Sequence, residues 1–289
     1  ITSSQIQDKH LYLPIRNLVK MKSSGVVNSR LAVDGSRQPP DSYNGIDAGT
    51  SSTDRLLCLT SAVIADATHR RVPFQIVGCD IPAAFLHQDL TPEDTNGYQY
   101  ITRLPANFPG ELANQLNAID KGHYGTKQGN NLFNKANHKL LVDAGYTNTI
   151  LAPHIYRKTC PDNPKNYLFV NWHVDDGAIL STSRTLLAEL KKLLIAKYGY
   201  SKEFPLTWNP EIGEYCGLQF ERRKDTSVKV HFGKHIRSFL QKQGMDDIPG
   251  ALTPACKDFF DHPSDTTPVD HIKFKYTQGG LSFYLHIRH

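Results

Sequence analysis

Apolar residues recur at intervals of three or four in four stretches of the chain, and each stretch is bounded by residues that start or stop helices. In residues 53–69, Leu56, Leu59, Val63 and Ala67 share one face, and Ser52 or Thr53 can cap the first amides. Residues 128–145 place Leu132, Phe133, Ala136 and Leu140 along one face and end on Gly145. Residues 183–198 carry Leu186, Leu187, Leu190, Leu193 and Leu194 between a Ser183 cap and Gly199, a stripe for core packing. A shorter stretch, 233–244, turns Ile236, Phe239 and Leu240 inward. Between these the pattern changes to runs of β-branched and aromatic residues, which predict strands. Residues 74–80 read as a buried strand ending in an acid, and 11–34 as a hairpin turning at Ser23-Ser24-Gly25. Residues 153–158 and 166–174 flank a Pro-Asp-Asn-Pro turn, and 215–220 pair with 228–232 across Arg222-Arg223-Lys224. Residues 38–50 predict a loop, 92–110 an irregular segment, 249–268 an exposed linker and 274–285 a last helix. The order is helix, strand, helix, strands, helix, strands. It predicts an α+β fold with a central antiparallel sheet backed by helices.

The polar residues that interrupt this pattern are more informative than those that bound it. Residues 167–180 read Tyr-Leu-Phe-Val-Asn-Trp-His-Val-Asp-Asp-Gly-Ala-Ile-Leu, two strands joined by a tight turn predicted at Asp175-Asp176-Gly177. Adjacent carboxylates repel, so the pair fits either a polar turn or half of a site for a hard divalent cation. A third acid, Asp80, ends the buried strand at 74–80. If the two strands are neighbours, Asp80 and Asp175 can share two metal ions, the arrangement used for in-line phosphoryl transfer.

Composition narrows the partners only slightly. The 289 residues are 39% hydrophobic and 21% charged, as expected of a soluble globular protein, and no run approaches the roughly 18 apolar residues of a membrane span. A net charge of +5 favours polyanions mildly. Five scattered cysteines without a Cys-x-x-Cys pair predict neither zinc nor disulfides, and so an intracellular setting. The chain opens on Ile1 with no leader pattern and is expected to be a piece of a longer one.

Asp80-Ile-Pro-Ala-Ala-Phe-Leu-His-Gln-Asp-Leu90 resembles the Asp-Val-Lys-Thr-Ala-Phe-Leu-Asn-Gly-Asp-Leu stretch of reverse transcriptases from Ty1/copia LTR retrotransposons. Four further words follow the family's order: Arg30-Leu-Ala-Val-Asp, His123-Tyr-Gly-Thr-Lys-Gln128, Trp172-His-Val-Asp-Asp176 and Tyr215-Cys-Gly-Leu-Gln-Phe220. The resemblance spans residues 30–220 and continues more weakly to about 285. It implies a right-hand polymerase fold with a ferredoxin-like palm (53–87 and 133–232), fingers (1–52 and 88–132) and a thumb leading into a truncated connection (233–289), the chain ending before any ribonuclease H acids.

The same resemblance assigns roles. Asp80, Asp175 and Asp176 would hold two Mg²⁺, or Mn²⁺, and carry catalysis. Arg30 and Lys22 would meet the triphosphate, Phe85 would lie beneath the nucleotide sugar, and Gln128 would touch nucleotide or template. His173, Tyr215 and Gly217 would hold the primer. Without the resemblance, Arg30 is a surface cation, Phe85 a core aromatic, Gln128 a helix-start residue and 215–232 a surface hairpin. Partners would be an RNA or DNA template with its primer, deoxynucleoside triphosphates, and the integrase and ribonuclease H regions of the same polyprotein. The setting would be cytoplasmic virus-like particles with a nuclear stage. The chain departs from the family at His173, where Tyr is usual, and at Gly129-Asn130-Asn131, where Ala-Pro-Arg is usual. These changes raise an alternative, a decayed or domesticated copy that binds nucleic acid without copying it.

Overall fold

The apolar stripes become helices and the β-branched runs become strands, most of them within a few residues of their predicted bounds. A computed structural model of the chain describes residues 8–21, 25, 27–46, 51–108, 110–111, 113–199, 205–224 and 227–245. Lys22, the end of the predicted loop at 47–50, the linker at 249–268 and the helix at 274–285 lie outside the described residues. In chain order, β1 (His10–Tyr12), β2 (Ile15–Met21) and β3 (Val27–Val33) precede α1 (Thr53–Arg70). Next come β4 (Gln75–Asp80), β5 (Gln99–Arg103), β6 (Leu116–Ala118) and α2 (Gly129–Asp143). They are followed by β7 (Thr147–Thr149), β8 (Ala152–Thr159), β9 (Tyr167–His173), β10 (Asp176–Ser181) and α3 (Arg184–Tyr198). The last described elements are β11 (Thr207–Asn209), β12 (Glu214–Tyr215), β13 (Leu218–Arg222), β14 (Val228–His231) and α4 (Gly233–Lys242). The result is a mixed α+β structure in two units, residues 1–51 with 65–211, and 52–64 with 212–289. Among the described residues no helix is long and apolar enough to cross a membrane.

The first unit is built on a six-stranded sheet in the order β11-β4-β10-β9-β8-β7, antiparallel throughout. Strand alternation divides its residues between two faces. Val77 and Cys79 of β4, Ile179 of β10, and Leu168, Val170 and Trp172 of β9 form one core with Phe133 and Leu141 of α2 and with Leu186, Leu190, Leu194 and Tyr198 of α3. Ser183 caps α3 as predicted, its hydroxyl accepting from the Leu186 amide at 3.3 Å. Gly145, at φ +83°, ends α2 as predicted. On the side of α1 nearest the sheet, Tyr167 donates to Asp66 at 2.5 Å and Arg70 pairs with the same carboxylate at 2.7 Å.

Two smaller sheets complete this unit. The predicted basic hairpin is β2–β3, whose last described pair is Met21↔Val27, and Ser23 and Ser24 of the expected turn lie outside the described residues. It has only two strands and leaves Leu18, Val19, Met21 and Val27 exposed. The segment expected to be irregular contains β5, which pairs with β1 in parallel and with β6 antiparallel. Its strand character rests on tertiary partners, since Pro and Gly around it mask the short run Gln99–Arg103 in the sequence. The second unit holds β12-β13-β14 and α4. The strand predicted over 215–220 is broken at Cys216 and Gly217, both at positive φ (+48° and +82°), the sign pattern of a two-residue type I′ turn.

Candidate active site

The site follows from the register of three strands. Asp176 of β10 pairs with Asp80 of β4 on one side and with His173 of β9 on the other, and Thr207 of β11 pairs with Asp80. Residues paired across antiparallel strands point to the same face, so Asp80, Asp176 and His173 project opposite the helix-covered core. The next row toward the sheet interior is Gly78, Ala178 and Asn171. This row is buried, and Ser51 donates to Asn171 within it.

The turn is not where Asp-Gly predicts it. Val174 and Asp175 form its centre, while Asp176 and Gly177 already belong to β10. Val174 has φ +58° and takes the place that glycine favours in a type II′ turn. Gly177 serves packing instead. A methyl group there would lie 2.6 Å from Cys79 Sγ and 2.8 Å from the Trp172 ring. The hairpin tip is fastened to β4 by the Ile81 amide, which donates to the Asp175 carbonyl at 3.0 Å.

Charge within this row is concentrated. Burial, followed by the charges of Asp175 and Asp80, pushes the Asp176 carboxyl up to about 6. The Cys79 thiol beneath is raised by burial and by Asp80 and Asp176. Nδ1 of His173 is buried without a hydrogen-bond partner.

Arg30 of β3 places its guanidinium carbon 5.1 Å from the centroid of the Tyr124 ring. Phe85 meets the same ring edge-on, with centroids 5.0 Å apart and planes at 69°. It lies in a 3₁₀ turn at 84–87 entered through Ala83 at φ +55°, and is partly buried against the core. The Tyr124 phenol is held above its ordinary range by burial, with Arg30 lowering it and Asp175 and Asp80 raising it. Sequence reasoning missed Tyr124 as a site residue, although it stands in one of the five ordered words.

Gln128 stands immediately before α2. Its side chain is fully buried, donating to Tyr100 Oη at 2.9 Å and accepting from Gln38 Nε2 at 3.0 Å. Gln38 also donates to Tyr100 and accepts from the Lys127 amide at 2.8 Å, and Tyr100 donates to the Ser42 carbonyl. Gln128 therefore supports the loop before α2. Tyr215 and Gly217 belong to the second unit, where Tyr215 is buried and a methyl group at Gly217 would meet the His235 ring at 2.8 Å.

No set of three or more His, Cys, Asp or Glu among the described residues is gathered as a metal site. Asp175 stands in the turn, whereas Asp80 and Asp176 stand on the strand row. In donor type and charge the three nonetheless fit a hard divalent cation, because burial and, after it, the charges of its two neighbours raise Asp176, and a cation would relieve both. No curated protein matches the chain. The family model described as reverse transcriptase (RNA-dependent DNA polymerase) matches residues 11–257, a span that includes the acid row, the hairpin that completes it, and the Arg30, Tyr124 and Phe85 stack. The chain therefore belongs to the reverse transcriptases, RNA-directed DNA polymerases that act as nucleotidyltransferases.

Proposed function

We propose that this chain is the polymerase region of a Ty1/copia-type retrotransposon Pol polyprotein. It would extend a primer 3′ end on an RNA or DNA template with deoxynucleoside triphosphates. The observation that carries this reading is the in-register pairing of Asp80 with Asp176, with Asp175 in the adjoining turn. Fingers would be 1–52 and 88–132, palm 53–87 and 133–232, and thumb with the start of the connection 233–289.

Asp80 and Asp175 are the residues that would hold two Mg²⁺, or Mn²⁺, with Asp176 as support. Bound there, the ions would neutralise charge on the triphosphate and activate the primer hydroxyl. The chain supplies position. Arg30, with its planar fork, takes the phosphates, joined by Lys22, and Phe85 lies under the sugar, where a 2′-hydroxyl would collide with it. His173 meets the primer end, and Tyr215 and Gly217 of the second unit are separately proposed as primer contacts. Template and primer bind through their phosphates, so binding weakens steeply with salt.

Primer extension on poly(rA) with Mg²⁺ or Mn²⁺ tests the reading. The parent extends the primer, and Asp80→Asn and Asp175→Asn lose extension while keeping duplex binding. Full extension by either variant would overturn the assignment. The second reading, a copy that binds without copying, is favoured by His173, whose buried Nδ1 lacks a partner. It predicts duplex binding and no extension by the parent with either metal.

A further inference from the structure

Tyr124 is the ring through which two otherwise separate contacts meet. The Arg30 guanidinium lies 5.1 Å from its centroid, and the Phe85 ring lies 5.0 Å from it at a steep angle. Arg30 and Phe85 come from parts of the chain more than fifty residues apart, one on β3 and one in the 3₁₀ turn after β4.

Tyr124 is itself fixed to the strand that carries Arg30. Its carbonyl accepts from the Val33 amide at 2.8 Å. The next residue, Gly125, has φ +91°, and a methyl group there would fall 2.0 Å from the Val33 carbonyl oxygen. Only a glycine lets the loop lie this close to β3. His123 adds a ring contact to the same carbonyl of Tyr124, Nδ1 at 3.2 Å from it. The charges of Asp175 and Asp80 reach the Tyr124 phenol and raise it.

The Arg30 side chain is long and exposed, and an unrestrained guanidinium samples many rotamers. A face-on aromatic ring narrows that range and leaves the donor fork open to a ligand. Phe85, touching the same ring edge-on, cannot tilt without moving it.

We propose that Tyr124 is a positioning residue that holds Arg30 and Phe85 in one stack, coupling affinity for the nucleotide's phosphates to discrimination of its sugar. This rests on the reading of Arg30 and Phe85 given above. The ring, not the hydroxyl, carries the role.

The test is steady-state incorporation of matched dNTP and rNTP on one primer–template by the parent, Tyr124→Leu, Tyr124→Phe, Arg30→Ala and the double variant Arg30→Ala/Tyr124→Leu. Tyr124→Leu raises the dNTP KM about two- to fivefold, the scale of one lost cation–π contact, and lowers the dNTP-to-rNTP efficiency ratio. Its kcat changes less than its KM. Tyr124→Phe recovers both quantities. In the double variant, adding Tyr124→Leu to Arg30→Ala raises KM no further, because the two act as a unit. A structural role alone would lower the melting temperature and kcat and leave KM and the ratio in place, which overturns the proposal. Equal impairment of Tyr124→Phe and Tyr124→Leu would assign the effect to the hydroxyl and overturn it too. If Arg30→Ala leaves KM unchanged in an active parent, the role of Arg30 fails and the coupling with it. If Arg30→Ala raises KM and Tyr124→Leu does not, the coupling alone fails.

Discussion

A half-buried carboxylate beside two others keeps its charge against its surroundings, and Asp176 is such a group, pushed up to about 6. Any cation that settles among Asp80, Asp175 and Asp176 binds the folded chain and not the unfolded one, and so stabilises the fold. Millimolar Mg²⁺ is therefore expected to raise the melting temperature of the parent, and the rise should shrink in Asp80→Asn and Asp175→Asn. An equal rise in all three would place the ion elsewhere. The same substitutions should reduce extension by at least about a hundredfold, the usual scale for losing a group that stabilises transition-state charge. His173 is a milder case. A phenol can take the place of a neutral imidazole as a ring with one polar edge, so His173→Tyr should keep activity within about tenfold, or roughly 1.4 kcal/mol. A larger loss would mean that the pocket has adapted to histidine. The three acids were legible in the sequence because their types and words carry chemistry. Tyr124 was not singled out, because its role depends on which rings and cations fold against it.

At the scale of elements, the β9–β10 hairpin joins a strained turn to a tightly packed strand. Val174 occupies a left-handed conformation, which costs a β-branched residue about 1–3 kcal/mol. Val174→Gly should raise the melting temperature, the relief being offset in part by glycine's extra freedom in the unfolded chain, and a fall would show that this freedom outweighs the strain. Gly177→Ala should act in the opposite sense, losing about 1–3 kcal/mol by overpacking against Cys79 and Trp172. A Cys79→Ala background should return part of that loss in a thermal melt. The loop before α2 gives a pH signature. Burial holds His123 below its ordinary value, partly opposed by its contact with the Tyr124 carbonyl. The unfolded chain then takes up its proton at higher pH than the folded one. The His123 contribution is thus present above about pH 6.5 and lost as pH falls through the folded value. The drop in melting temperature between about pH 7 and pH 5 should be smaller in His123→Gln. Helices were legible because their stripes and caps are local, as Ser183 and Gly145 illustrate. The turn was misplaced because Gly177 looks like a turn residue when only its neighbours in sequence are known. The buried partners of Gln128 were hidden for the same reason, since Tyr100 and Gln38 lie far away along the chain.

At the scale of the whole molecule, what the sequence hides most is the order of strands. β4 reads plainly as a buried strand, yet nothing local reveals that β10 and the three-residue β11 flank it, or that Thr207 stands beside Asp80. Net charge was legible and sets one expectation: duplex affinity should fall as salt rises, with a log–log slope that counts the phosphates neutralised. A flat salt profile would remove nucleic acid from the list of partners. The strand order also has a consequence in time. Translation delivers β4 first, and its partner β10 follows about a hundred residues later, or roughly 5–20 s on a ribosome adding about 5–20 residues per second. Throughout that interval the apolar run from Gln75 to Asp80 has neither hydrogen-bonded neighbour. The nascent chain carries an unpaired, adhesive segment, the kind of segment that chaperones shield, and the acid row first exists only when the ribosome has passed Asp176.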